Sequence, residues 1–161
     1  MRRSLLARVL LAGLGSSASV AAAQQPFHVT YCSTAAVTRL HEAEGMLAWA
    51  LDGKGIAMSA EENGTFNNMT FQCAIVGRTL AGKPSGTGFC KYMDPDGDVV
   101  LWEVSVNGPD DAYKAVHGTG KWKGIKAEGT AALLTKAKPI SPELRQVCRR
   151  FKGTFELPKS T

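Results

Sequence analysis

Alternating apolar and polar side chains recur along the chain in short runs, and glycine-rich segments separate these runs. The clearest run is VVLWEVSV, residues 99–106, in which Val100, Trp102, Val104 and Val106 fall on one side of an extended chain. The intervening residues, Glu103 among them, fall on the other side. A period of two residues is typical of a β-strand with one face toward a core. We therefore expect the first set to point inward.

Similar strand-like runs occupy residues 27–31, 46–51, 56–60, 69–77, 87–93, 128–134 and 151–157. Strands at this spacing, joined by turn sequences such as LDGKG and NGPDD, favour an antiparallel sandwich or closed barrel over alternating βα units. The one helix-like segment is SPELRQVCRR, residues 141–150, with Ser141 as N-cap and Pro142 at the first helical position. We expect one short C-terminal helix there.

The pentad DPDGD, residues 94–98, places three carboxylates between two strand-like runs, where they could bind a cation or turn the chain. A calcium-binding loop of the EF-hand type requires alternating ligands, a glycine at its sixth position and a distal glutamate. Gly97 is only the fourth residue from Asp94. Pro95 and Gly97 suit the backbone angles of a tight turn. We interpret the pentad as a hairpin turn.

The first 23 residues have the pattern of a secretory signal peptide. Arg2 and Arg3 precede an apolar run from about Leu5 to Leu14, and small residues follow up to Ala23. The apolar run is too short to span a bilayer comfortably. We predict cleavage near Ala23, a periplasmic or secreted location, and one domain over residues 24–161.

Removing residues 1–23 would take away three arginines and lower the formal charge from +5 to +2. Nucleic-acid-binding proteins carry an extended basic face with aromatic residues interspersed. The nearest candidates here, KWKGIK and RQVCRRFK, are too small to form one. We expect neither a nucleic-acid partner nor a membrane span, and the oligomeric state is left open.

All four cysteines, Cys32, Cys73, Cys90 and Cys148, follow the predicted signal peptide. An even number of cysteines in an oxidising compartment points to two disulfides. No C-x-x-C pair is present to supply a metal site, so we expect no metal. Three pairings are possible, and we favour Cys73 with Cys90 and Cys32 with Cys148. The second pair would join the chain ends and stabilise the fold by roughly 4 kcal/mol.

Motifs for cofactors and for common hydrolases are incomplete. GRTLAGKP resembles a phosphate-binding loop, but Pro84 stands where a serine or threonine would hold magnesium. GTGKWKG lacks the glycine spacing of a dinucleotide-binding turn, and no G-x-S-x-G elbow follows residue 23. His28, His41 and His117 show no metal-ligand spacing. We expect no cofactor.

One segment carries a family resemblance. GTGFCKYMDPDGDVVLWEVSV, followed by VHGTGKWKGIKAEGTAAL, resembles the barrel proteins related to allene oxide cyclase over roughly residues 86–134. The resemblance implies a closed, calycin-like antiparallel β-barrel of about eight strands. It also implies an exported bacterial member of that family with no evident enzyme activity. None of the cyclase's active-site residues can be placed on matching positions, so it implies architecture alone.

A barrel of this size has room inside for side chains or for one small ligand. The favoured hypothesis is a non-catalytic barrel that binds a small apolar ligand or a partner protein. The alternative is an isomerase or cyclase in which Glu103 or His117 steers a hydrophobic substrate. A third possibility is that the aromatic side chains simply fill the core. The candidate ligand contacts share aromatic or ionisable side chains: Trp49, Tyr92, Trp102, Glu103, His117 and Trp122.

Overall fold

The computed structural model describes residues 24–62, 64–141 and 143–158. Its strands are β1 (Gln25–Ala43), β2 (Met46–Ser59), β3 (Met69–Leu80), β4 (Lys83–Met93), β5 (Val99–Asn107), β6 (Asp110–Gly118), β7 (Lys126–Lys136) and β8 (Leu144–Glu156). Each strand pairs antiparallel with the next, and β8 pairs with β1. The sheet therefore closes on itself, which confirms the predicted eight-stranded barrel.

The predicted C-terminal helix is wrong. The segment from Leu144 onward is β8, which pairs with β1 on one side and β7 on the other. The Ser141-Pro142 signal is local, whereas Phe151 and Phe155 belong to a period-two pattern that faces the core. Pro142 itself lies outside the described residues. The helical residues that the structure describes form one 3₁₀ turn, Gly120–Trp122, and none forms a helix long and apolar enough to cross a membrane.

The middle of the barrel is packed with aromatic side chains. Val100, Trp102 and Val104 are buried and Val106 is half-buried, which confirms the inward face predicted for β5. The Trp102 ring centroid lies 5.2 Å from that of Phe151 in an edge-to-face arrangement. Such contacts add to the free energy gained from burying large apolar rings.

The alternating strand directions divide the connections between two ends of the barrel. The β1–β2, β3–β4, β5–β6 and β7–β8 connections lie at one end, which we term the barrel mouth. The β2–β3, β4–β5 and β6–β7 connections lie at the opposite end, which we term the closed end.

Two aromatic rings fill the closed end. Phe66, from the β2–β3 connection, stacks on Trp122 with a centroid distance of 4.9 Å and an interplanar angle of 16°. Phe66 also contacts Phe27 edge-to-face at 5.0 Å. Trp122 Nε1 donates a 2.8 Å hydrogen bond to the buried carboxylate of Asp94. Phe66, Trp122 and Asp94 therefore close this end of the barrel, and we term these three residues the plug.

The DPDGD pentad is the hairpin turn between β4 and β5, as interpreted from the sequence. Asp94 Oδ1 accepts hydrogen bonds from the backbone amides of Asp96 at 2.9 Å and Asp98 at 3.0 Å. Gly97 has a φ of 89°, in the left-handed region that glycine adopts without strain. Asp94 therefore shapes the turn with one oxygen and holds the plug with the other.

Hydrogen bonding decides the ionisation of Asp94. Burial opposes its charged form, but hydrogen bonds from Lys121, Trp122 and the turn amides outweigh burial and lower its pKa. The Lys121 ammonium lies 2.9 Å from Asp94 Oδ2 and 2.6 Å from Asp96 Oδ2. In the part of the chain that the structure describes, no three histidine, cysteine, aspartate or glutamate side chains are placed to hold a metal ion.

Two disulfides cross-link neighbouring strands. Cys32 on β1 is bonded to Cys148 on β8, and Cys73 on β3 is bonded to Cys90 on β4. These are the pairs favoured from the sequence. The first joins residues 116 positions apart, for which the chain-entropy model gives about 4 to 5 kcal/mol of stabilisation. The predicted signal peptide, residues 1–23, lies outside the described residues.

Replacing Asp94 with asparagine should lower the free energy of unfolding by about 2 kcal/mol at pH 7, since an amide NH₂ would face the donors on Trp122 and Lys121. Asp96→Asn, at a side chain that is 73% exposed, is the matched control and should change it by less than about 0.5 kcal/mol. Urea denaturation at pH 7 and pH 3 measures both.

The pH dependence follows from the lowered pKa of Asp94. Its stabilisation is present above the unfolded-state pKa of about 3.9 and is lost as the pH falls through the lower folded-state pKa. The difference between wild type and Asp94→Asn should therefore shrink at pH 3. Equal effects of Asp94→Asn and Asp96→Asn at pH 7 would contradict the role of Asp94.

Candidate functional site

A cavity of about 120 Å³ opens at the barrel mouth. For comparison, an engineered apolar cavity of about 150 Å³ in another protein binds benzene. The cavity is thus close to the size of a molecule with one small ring. We term it the inner cavity.

The strands on one side of the barrel give the inner cavity an apolar wall. β2, β3, β4 and β5 are consecutive neighbours in the sheet, and their inward side chains near the mouth are almost all hydrocarbon. This wall comprises Trp49, Leu51, Phe71, Ile75, Pro84 and Val106.

The opposite side supplies a polar wall. β6, β8 and β1 contribute hydroxyl, carboxylate and guanidinium groups, and β7 lies between β6 and β8 in the closed sheet. The wall comprises Tyr31, Ser33, Asp111, Tyr113, Arg145 and Arg149. The two walls together favour a molecule with an apolar body and one polar edge.

An ion pair lies in the polar wall. Arg149 Nη1 is 3.1 Å from Asp111 Oδ2 and also donates a 2.9 Å hydrogen bond to the carbonyl of Ala131. Asp111 is only 6% exposed, and its Oδ1 has no hydrogen-bond partner among the residues that the structure describes. Buried polar atoms normally have a partner. This oxygen is therefore a buried acceptor that lacks a donor within the described residues.

Burial raises the pKa of Asp111, although the positive charges of Arg149 and Arg145 act in the opposite direction. A single buried ion pair does not recover the full cost of removing two charges from water. The raised pKa and the unpartnered oxygen thus have the same cause, which is incomplete solvation of this carboxylate.

Two tyrosine hydroxyls extend the polar wall. Tyr31 Oη and Tyr113 Oη are 2.8 Å apart, and either one can be the donor. One hydroxyl hydrogen joins the pair, so the other is left to donate to a third group. Burial raises the pKa of Tyr113 to about 12 and that of Tyr31 well above its usual value. Both side chains are neutral near pH 7.

The structure brings one of the six sequence-predicted contacts, Trp49, to the inner cavity. Tyr92 and Trp102 are buried in the filled middle of the barrel. Tyr92 Oη and Trp102 Nε1 have no hydrogen-bond partner within the described chain. Trp122 belongs to the plug at the closed end.

Glu103 and His117 are exposed on the outer faces of β5 and β6. Glu103 follows the inward Trp102 and therefore points outward. His117 pairs with the outward Leu101, beyond a bulge in the β5–β6 pairing. The idea that Glu103 or His117 steers a substrate inside the barrel is therefore wrong.

Sequence reasoning missed the polar wall. Asp111 lies two residues before the inward Tyr113, and Arg149 lies two residues before the inward Phe151. The available signal was a charged residue two positions from an inward aromatic residue, because this spacing places both side chains on the same face of a strand. On β8 that signal was obscured because residues 141–150 were interpreted as helical.

Comparison with solved structures finds a similar fold in two dirigent proteins. The chain is similar to the pterocarpan synthase dirigent protein PsPTS1, with a TM-score of 0.58 and 9% sequence identity over 86% of this chain and 97% of that one. The pterocarpan synthase dirigent protein GePTS1 is similar with a TM-score of 0.50 and 9% identity, over 86% and 88% of the two chains. Similarity at this identity shows the fold alone.

No protein-family model matches the chain. No curated protein sequence matches it either. The structural neighbours are dirigent barrels, so they support the barrel implied by the sequence resemblance but not a specific relationship to allene oxide cyclase.

Replacing Arg149 with methionine should lower the free energy of unfolding by about 3 kcal/mol at pH 7, because Asp111 would be left buried without its cation. Arg149 holds down the folded-state pKa of Asp111, which burial raises above its ordinary value, so removing Arg149 raises this pKa further and the loss should grow as the pH rises through the wild-type folded-state pKa. At pH 4 the loss should be smaller, since protonated Asp111 needs no cation. Thermal and urea unfolding at both pH values measure it.

The double variant Asp111→Asn/Arg149→Met is the control. It removes both charges and should recover most of the stability lost in Arg149→Met. Equal losses at pH 4 and pH 7, with no recovery in the double variant, would show that the ion pair does not have the role described.

Proposed function

We propose that this protein is an exported, disulfide-stabilised barrel that binds one small, mostly apolar molecule at its mouth without transforming it. The observation that carries the proposal is the inner cavity, in which an apolar wall faces a polar wall containing the unpartnered Asp111 Oδ1. A concave, mainly apolar site with a few convergent polar groups is the usual form of a small-molecule site.

The polar wall defines the ligand more closely. Asp111 Oδ1 requires a donor, whereas the guanidinium of Arg145 or Arg149 requires an acceptor. A hydroxyl group satisfies both requirements. Arg145 and Arg149 together outweigh the charge of Asp111, which disfavours a cationic amine. We infer a compact, neutral molecule of about one ring that carries a hydroxyl group.

The proposed export is supported by two separate features. Residues 1–23 have the signal-peptide pattern, and two disulfides cross-link strands of the barrel. Disulfides persist in the periplasm and outside the cell and are rare in the cytosol. The proposed location is therefore the periplasm or the exterior.

One observation favours the second candidate, an isomerase or cyclase acting in the same cavity. Asp111 combines a raised pKa with a position on the cavity wall near the tyrosine pair. A carboxyl group with a raised pKa can act as a proton donor closer to neutral pH. In this candidate Asp111 takes the role that the sequence suggested for Glu103 or His117.

The test measures binding and turnover together, using benzyl alcohol, toluene and benzylamine with purified protein of residues 24–161. Ligand-observed NMR should give the affinity order benzyl alcohol, toluene, benzylamine. Val106→Phe should weaken binding at least about tenfold, because the added ring occupies the cavity. Val76→Phe, on the outer face at 56% exposure, is the matched control and should leave binding unchanged.

Incubation with styrene oxide, a one-ring epoxide that can isomerise to phenylacetaldehyde of the same mass, followed by chromatographic separation of the recovered compounds, separates the two candidates. Unchanged ligand supports binding without transformation. Product formation that Asp111→Asn abolishes would establish the enzyme instead. Binding that survives Val106→Phe, or no binding of any compound, would contradict the inner cavity as the ligand site.

A further inference from the structure

A second, larger cleft adjoins the inner cavity at the barrel mouth. This outer vestibule has a volume of about 730 Å³ and opens to solvent between the β1–β2 hairpin and the start of β8. Its lining includes Val37, Arg39, Leu47, Trp49, Thr79 and Arg145. Trp49, Pro84 and Arg145 line both compartments, and of these Trp49 has the largest side chain.

The Trp49 indole packs against the backbone of two glycines, Gly77 and Gly86. Trp49 pairs with Gly77 across β2 and β3, and Gly77 pairs with Gly86 across β3 and β4, so the three residues form one row. A Cβ added at Gly77 would lie 2.6 Å from the Trp49 ring, and one at Gly86 would lie 3.1 Å from it. The two glycines therefore provide the space that the indole occupies.

A hydrogen bond holds the edge of the same ring. Trp49 Nε1 donates to Thr79 Oγ1 at 3.2 Å, and Thr79 lies on β3 two residues beyond Gly77. Trp49 is only 8% exposed. A buried indole with its N–H satisfied and its face against backbone has one strongly favoured orientation.

We propose that Trp49 is the partition that sets the upper size of the ligand, and that Gly77, Gly86 and Thr79 are the residues that position it. This inference rests on the proposed function, because it concerns the same ligand site. With the indole in place, the inner cavity accommodates about one ring. Without the indole, the inner cavity and the outer vestibule join into a cleft that accommodates two fused rings. The selected class is single-ring molecules over fused bicyclic ones.

Toluene and naphthalene test the proposal, because they differ by one fused ring and neither carries a polar group. Wild-type protein should bind toluene and exclude naphthalene. Trp49→Ala should bind naphthalene at least about tenfold more tightly than wild type, whereas its toluene affinity should fall, because Trp49 is part of the apolar wall of the inner cavity. Circular dichroism checks that the variant keeps the barrel.

Thr79 variants test the positioning role without removing the ring. Thr79→Val deletes the acceptor at nearly constant shape and should increase naphthalene binding. Thr79→Ser retains the acceptor and should keep the wild-type selectivity. A purely structural threonine would change stability in these variants but would not change the ratio of naphthalene to toluene affinity. Thr79→Val also keeps the test decisive should Trp49→Ala fail to fold.

The outcomes distinguish this proposal from the proposed function. If wild type binds toluene but Trp49→Ala and Thr79→Val still exclude naphthalene, the partition is wrong and the ligand site stands. Wild-type binding of naphthalene as tight as that of toluene also overturns the partition alone. If wild type binds neither compound but Trp49→Ala binds naphthalene, the partition is supported and the inner cavity is not a natural ligand site. No binding by wild type or either variant contradicts both.

Discussion

The pairing of β1 with β8 is the constraint on which the rest of the structure depends. It joins strands from opposite ends of the chain, and the Cys32–Cys148 bond lies within it. Closure pairs two sheet edges that would otherwise present unpaired amide and carbonyl groups. The same register places Tyr31 directly beside Arg149, so it also assembles the polar wall of the mouth. The strand pairing that closes the barrel therefore also assembles the polar side of the candidate site.

The interior is filled unevenly, and residue size explains where the space remains. Phe66 and Trp122 fill the closed end, and rings such as Trp102 and Phe151 fill the middle. Toward the mouth the residues that line the cavity include Ala35, Gly53 and Gly108, whose small size leaves volume unoccupied. A close-packed interior would not retain such a space without small residues around it. The cavity therefore remains because the residues around it are small, whereas large aromatic rings fill the rest of the interior.

Much of the fold could be predicted because its signals are local. Alternation identified the inward face of β5, and Pro95 with Gly97 identified the β4–β5 turn. The same alternation already placed Glu103 outward, so assigning it a role inside the barrel conflicted with its own pattern. The start signal at Ser141 was also local, but the sheet pairing of β8 overrode it.

The candidate site was harder to predict because it depends on register between distant strands. Asp111 and Arg149 are 3.1 Å apart only because β6 and β8 each pair with β7. Neither residue belongs to a motif, and their spacing in the chain carries no chemical pattern. Trp49 was identified as a candidate from the sequence. Its packing against Gly77 and Gly86, however, follows from the pairing of three strands.

Under the proposed function, the ligand binds at the barrel mouth and not in the middle or at the closed end. The three tryptophans report on these levels separately: Trp49 at the mouth, Trp102 in the middle and Trp122 in the plug. The decisive measurement is an NMR titration of the three indole N–H resonances with benzyl alcohol. Binding at the mouth should give a saturable shift of the Trp49 resonance and leave the other two almost unchanged. A saturable shift at Trp102 or Trp122, with Trp49 unaffected, would contradict it.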